Sequence, residues 1–251
     1  MLRKILNFFT GWFRQVDLVL LGLCTGATLF GCLMIASATH YTGSYKNVIV
    51  QLAALCLGIV AYVLMSMLDL TEISKYWKWL LGGSLVLILL LKTPLGMDGG
   101  TGNRAWLGVR GIPVNLQPVE IVKLIFIVLL ARQLVYLQEH RDLKSIPSIA
   151  LLGGHLLLIV GAYAAVSGDM GSALVLIFIF ACMCFVAGVA KRWFVLGILG
   201  GSFAFYVLWE TDKISDYMKE RFMTLFDHNM DPLGIGWQQT RSLLALGGGK
   251  L

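Results

Sequence analysis

Residues Gly102–Lys123 read GNRAWLGVRGIPVNLQPVEIVK. The stretch lies between two long apolar runs, about 76–94 and 116–137, and brings Arg104, Arg110, Glu120 and Lys123 into otherwise apolar sequence. Glu120 and Lys123 fall in the first turns of the second run, after Gln117 and Pro118. An ionisable side chain at bilayer depth costs about 2.5–3.5 kcal/mol on insertion scales, so such groups face a partner or a cavity. Proline suits the first turn of a helix, and a glutamate there complements the helix dipole. Lys123 follows Glu120 by three residues, one turn deeper on the same face, where acid and base lower each other's cost. The stretch therefore predicts a helix that enters a membrane carrying an ion pair.

Working outward, the composition agrees. The chain has 251 residues, of which 58% are hydrophobic and 14% charged, and its mean hydropathy is +0.80. A soluble domain cannot bury that much apolar surface, so the class is integral membrane protein. Seven runs have the roughly 20 apolar residues that a helical span needs: about 17–38, 46–68, 76–94, 116–137, 147–167, 170–190 and 192–210. The predicted fold is all-α, a polytopic bundle of membrane helices. The third run is the weakest, since Trp77, Lys78 and Trp79 make its start an interfacial belt. Ser167, Gly168 and Asp169 mark the junction of the fifth run with the sixth, a tight polar reversal.

Residues 1–16 contain basic residues with Phe8, Phe9, Trp12 and Phe13 but no small-residue cleavage site, and read as an interfacial lead-in helix. With the N-terminus inside, Arg3, Lys4, Arg14, Lys75, Lys78, Arg141, Lys144, Lys191 and Arg192 are cytoplasmic, against Lys46, Lys92, Arg104 and Arg110 outside. The positive-inside rule favours that orientation. It puts the loop 95–115, the Gly168–Asp169 turn and residues 211–251 on the outer face. The net charge of +6 is spread over short loops and is not a nucleic-acid footprint. Cys24, Cys32, Cys56, Cys182 and Cys184 all lie in apolar runs, as packing residues rather than a disulfide framework.

Asp169 sits in SGDMGSA, where it caps the sixth span or serves a site; glycines on both sides suit a close backbone approach. Tyr217, Phe222 and Leu225 have the spacing of a helix lying along the membrane surface. Beyond them, Asp231-Pro-Leu-Gly-Ile-Gly-Trp-Gln238 reads as a turn bearing a carboxylate, with Asp227 and His228 nearby. No nucleophile elbow, metal-ligand cluster or nucleotide motif is present. Ionised groups gathered on the outer side fit a transporter, or an enzyme acting on a lipid-linked substrate.

Taken together these segments resemble the SEDS family of cell-wall synthases, which includes FtsW, RodA and SpoVE. The family's Gly-x-Arg-x-Trp-Ile appears as Gly102-Asn-Arg104-Ala-Trp106-Leu107, and its Gln-Pro-Ser-Glu with a lysine three residues on as Gln117-Pro118-Val119-Glu120 with Lys123. Pro-Asp-Leu-Gly-Thr is matched by Gly168-Asp169-Met170-Gly171-Ser172. Asp-Pro-x-Gly-x-Gly-Tyr-Gln is matched by Asp231 to Gln238, followed by Ser242 and Ala245–Gly248 with Arg241 where glutamine is usual. Ser37-Ala38 matches the end of the family's first span.

The resemblance implies a peptidoglycan glycosyltransferase of the bacterial cytoplasmic membrane that polymerises lipid II on the outer face. It implies a class B penicillin-binding protein as partner. It implies Asp231 as the catalytic residue, and Arg104, Trp106, Glu120, Lys123, Asp169 and Gln238 around the substrate. A divalent cation such as Mg2+ or Mn2+ is a candidate cofactor for the diphosphate. Family members have ten spans, so residues 1–251 read as a single SEDS membrane domain that stops inside the large outer loop begun at 211, and are not expected to act alone. Val119 in place of serine removes a hydroxyl, and Gly168 in place of proline is expected to loosen its turn. A lipid II flippase using the same charges and a non-catalytic scaffold are the competing readings. Division, elongation and sporulation members share these motifs.

Overall fold

The computed structural model describes residues 16–40, 43, 45–98, 103–108, 115–211, 216–224, 226–227, 234 and 236–248. Asp231, Arg110, Gly102, His228, Leu225 and the lead-in segment before Val16 lie outside them. Helices occur at all seven predicted runs. In chain order they are α1 (Leu18–Thr39), α2 (Lys46–Ser66), α4 (Trp77–Leu90), α5 (Pro118–His140), α6 (Ile146–Ser167), α7 (Met170–Val186) and α8 (Lys191–Glu210). A short α3 (Leu70–Lys75) precedes α4, and α9 (Asp216–Met223) and α10 (Trp237–Gly248) follow α8. Four of these, α1, α2, α6 and α8, are both long and apolar enough to cross a bilayer on those grounds alone. Helices α4 and α7 are apolar but shorter, and α5 has the length but carries Glu120, Lys123 and Arg132.

Helix suits these segments because lipid offers no hydrogen-bond partners, so each backbone amide must be satisfied within its own segment. Three of the starts are set by aspartates. Asp17 accepts from the Leu20 amide at 2.9 Å, Asp69 from Thr71 at 2.8 Å, and Asp169 caps α7. Hydroxyls inside the spans turn back onto their own helix, as Thr28 does to the Cys24 carbonyl and Ser84 to Leu81.

The chain divides into two compact units, residues 1–132 with 166–168, and residues 133–165 with 169–251. In the first, α1 and α2 pair as a hairpin, and the Tyr62 hydroxyl donates to the Asp17 carbonyl at 3.0 Å. Ile88 of α4, Leu91 just after it, and the α5 stripe Val119, Val122, Phe126, Leu129 and Leu130 are buried. In the second, Leu152, Ile159 and Tyr163 of α6 and Ala173, Leu176 and Cys184 of α7 are buried, whereas Cys182 is exposed on another face of α7. Side chains tie this unit's helices together. Gln133 donates to the Leu151 carbonyl at 3.0 Å while its Oε1 accepts from His155 Nδ1 at 2.8 Å. Gln138 donates to the Ala187 carbonyl at 2.9 Å, and Arg192 and Trp193 both donate to that of Lys144.

Candidate functional site

The polar stretch is folded rather than loose. Gly96–Met97 (β1) and Trp106–Leu107 (β2) pair antiparallel, Gly96 opposite Leu107 and Met97 opposite Trp106. Leu107 in turn exchanges two backbone hydrogen bonds with Leu116, at 2.7 and 2.8 Å. Two glycines make the hook possible. A Cβ on Gly96 would collide with the Leu91 carbonyl oxygen, and one on Gly108 would meet Asn115 Oδ1 at 2.5 Å and Met97 Sδ at 2.6 Å. The hook was not read in the sequence, because strands of two residues carry no periodicity. It fixes Trp106, half-buried, two residues from the exposed Arg104, and delivers the chain to Gln117 and Pro118 at the mouth of α5.

One turn into α5 the expected ion pair is present. Lys123 Nζ lies 2.7 Å from Glu120 Oε2 and 2.8 Å from Oε1. The glutamate side chain is 56% exposed and the lysine 20%. The carboxylate thus sits toward the polar end of the helix, and the ammonium lies deeper, held by both oxygens. This arrangement keeps a cation at the mouth of an apolar helix, ready for an anion that displaces or shares the carboxylate.

Asp169 is built into its own unit. Oδ1 accepts from the Gly171 and Ser172 amides at 3.1 and 3.3 Å, and Oδ2 from the Tyr163 hydroxyl at 3.0 Å and the Ser172 hydroxyl at 2.6 Å. Burial pushes this carboxyl up, but the bonds from Ser172, Tyr163 and the two amides outweigh it, and Asp169 titrates below its ordinary value of 3.8. Of its two expected roles the capping one is therefore met in full. Gly168 has φ +72°, which proline cannot adopt, and a Cβ there would stand 3.3 Å from Asn103 Oδ1. Expected to loosen the turn, this glycine instead supplies the left-handed residue on which the reversal depends. Tyr163, fully buried, was not singled out from the sequence.

Gln238 lies exposed in the first turn of α10, and its carbonyl accepts from the Ser242 hydroxyl at 2.8 Å. Next to it the Arg241 guanidinium stands over the Trp237 ring at 5.5 Å. The Trp237–Gly248 stretch was read as a motif without secondary structure; it is a helix. Asp231, the expected catalytic residue, falls outside the described residues.

A multi-span helical bundle with charged groups at the helix mouths defines a membrane protein. By sequence it belongs to the cell cycle protein family of FtsW, RodA and SpoVE, whose model matches residues 15–251. Among curated relatives it is 28% identical to the "probable peptidoglycan glycosyltransferase FtsW" of Methylococcus capsulatus, over 98% of this chain and 61% of that one. It is 30% identical to the protein of the same name from Trichlorobacter lovleyi, over 94% of this chain and 61% of that one. Among solved structures it resembles a chain from a study of how a peptidoglycan synthase complex coordinates polymerization and crosslinking, with a TM-score of 0.72 and 29% identity, covering 90% of this chain and 63% of that one. It also resembles the rod shape determining protein RodA of Thermus thermophilus, with a TM-score of 0.59 and 28% identity, covering 73% and 58% of the two chains. The chain spans about three fifths of the length of the relatives it matches.

Proposed function

We propose that the full-length protein is a peptidoglycan glycosyltransferase that polymerises lipid II into glycan strands on the outer face of the bacterial cytoplasmic membrane. The observation that carries this reading is the family match along residues 15–251, which includes the segment of the Glu120–Lys123 pair. In the reaction, a sugar hydroxyl of one chain attacks the anomeric carbon of the next. A carbon–oxygen bond forms, the bond to the lipid diphosphate breaks, and that diphosphate leaves with its electron pair. Asp231 acts as general base for the attacking hydroxyl. Arg104 and Lys123 stabilise the charge that grows on the diphosphate, and Glu120 orients Lys123. A divalent cation such as Mg2+ or Mn2+, bound with the diphosphate, would add to the charge that Arg104 and Lys123 place there.

The orientation with a cytoplasmic N-terminus rests on the distribution of basic residues and puts the α5 mouth outside, where lipid II is polymerised. A class B penicillin-binding protein is the proposed partner, supported by the similarity to a chain of a peptidoglycan synthase complex. The test is Asp231→Ala in the full-length protein with that partner, assayed for glycan chains from lipid II. Polymer should vanish while membrane level and melting temperature stay unchanged; normal yield from the stable variant overturns the proposal.

A further inference from the structure

Helix α8 is 20 residues long and apolar, and its last turns carry Phe205 and Trp209. Their rings stand 5.6 Å apart, and both meet Phe222 of α9, at 5.6 Å from Phe205 and 5.8 Å from Trp209. Phe222 continues to Phe226 at 5.4 Å. Four aromatic rings thus run without a break from the end of a membrane-length helix onto the segment that follows it. They are not a closed core, since Phe205 is 45% exposed, Phe222 41% and Phe226 75%. At one edge the Lys219 ammonium lies 5.7 Å from the centre of the Trp209 ring. Glu220, exposed, is two residues from Phe222 and so lies on a different face of α9.

An uncovered aromatic face with a cation at its border is the chemistry of the boundary between lipid tails and headgroups. Aromatic rings concentrate there, and a lysine lays its stem on apolar surface while its charge reaches the phosphates. Continuity with α8 identifies the occupant, because the face begins on a helix already suited to lipid. We infer that the face formed by Phe205, Trp209, Phe222 and Phe226 is seated in phospholipid, in the leaflet where α8 ends, with Lys219 at the phosphate level. The segment after α8 is then moored to the bilayer surface at its root. This inference is independent of the glycosyltransferase reading.

The test uses the chain with its five cysteines replaced by alanine, reconstituted in vesicles of phosphatidylethanolamine and phosphatidylglycerol. Nitroxide labels are placed singly at Phe222→Cys, Phe226→Cys and Glu220→Cys, and collisions with oxygen and with a water-soluble nickel chelate are compared. The oxygen-to-nickel ratio at 222 and 226 should exceed that at 220 several-fold. Dominant nickel collisions at 222 and 226, as on a water-facing surface, overturn the inference. So does shielding from both reagents, as under another polypeptide. Phe226→Trp in the otherwise unaltered chain gives a second reading that does not depend on the cysteine replacements. Its added emission should be quenched by phospholipid with brominated tails, and absence of quenching overturns the inference as well.

Discussion

Lys123 holds both carboxylate oxygens of Glu120, at 2.7 and 2.8 Å, and is the deeper member of the pair. The pair contributes little to stability, about 0.2–0.5 kcal/mol for neighbours of this spacing on a helix. Its value lies in keeping a charged ammonium at the mouth of an apolar helix. Lys123→Met in the full-length protein should therefore leave the melting temperature almost unchanged. The rate of lipid II polymerisation should fall by about 100-fold or more, the usual effect of removing a group that stabilises transition-state charge. Glu120→Gln, which leaves the lysine charged but less firmly oriented, should cost less. A polymerisation assay paired with thermal unfolding in detergent separates the two effects.

Asp169 should make the stability of its unit sensitive to acid. Its folded pKa lies below the ordinary 3.8, so its contribution is fully present above that value and is lost as pH falls through the folded pKa. Unfolding followed from pH 6 downward should show wild-type stability dropping in the acid limb, and Asp169→Asn should flatten that part of the curve. Asp169→Ala also removes a helix cap and takes one acceptor from the buried Tyr163 hydroxyl, a combined loss of about 2 kcal/mol at neutral pH. Tyr163→Phe should lose about 1 kcal/mol by the same measurement, since it deletes one hydrogen bond without leaving a buried donor.

Gly168→Ala should destabilise the protein by about 1–2 kcal/mol, the cost of a left-handed residue with a side chain. The new methyl also meets Asn103 Oδ1 at 3.3 Å, so part of that loss should be recovered by Asn103→Ala. A double-mutant cycle on melting temperature checks both statements. Strict additivity would show that the Asn103 contact does not matter.

These effects also mark how far the sequence could be read. Apolar length decides a membrane helix, so the runs 46–68 and 192–210 anticipate Lys46–Ser66 and Lys191–Glu210 closely. The run 76–94 was read too long, because the helix ends at Leu90, ahead of Lys92, Thr93 and Pro94. Glu120 and Lys123 were legible because an i,i+3 spacing has one meaning on a helix. Tyr163 was not, because its bond to Asp169 spans a chain reversal whose geometry depends on a positive φ at Gly168. The hook from Gly96 to Leu116 was hidden for a similar reason. Close approach at Gly96 and Gly108, rather than any local pattern, sets its pairing.

That hook has a consequence for how the protein can vary. The two backbone bonds between Leu107 and Leu116 close a ring of chain whose ends are fixed, one beside Trp106 and the other at the start of α5. Doubling the length of such a ring adds only about 0.6 kcal/mol of closure entropy. Residues gained or lost between Gly108 and Asn115 would therefore leave Trp106, Glu120 and Lys123 where they are. The charged mouth of α5 is thus insulated, by a single β-bridge, from a change of length in the chain that leads to it.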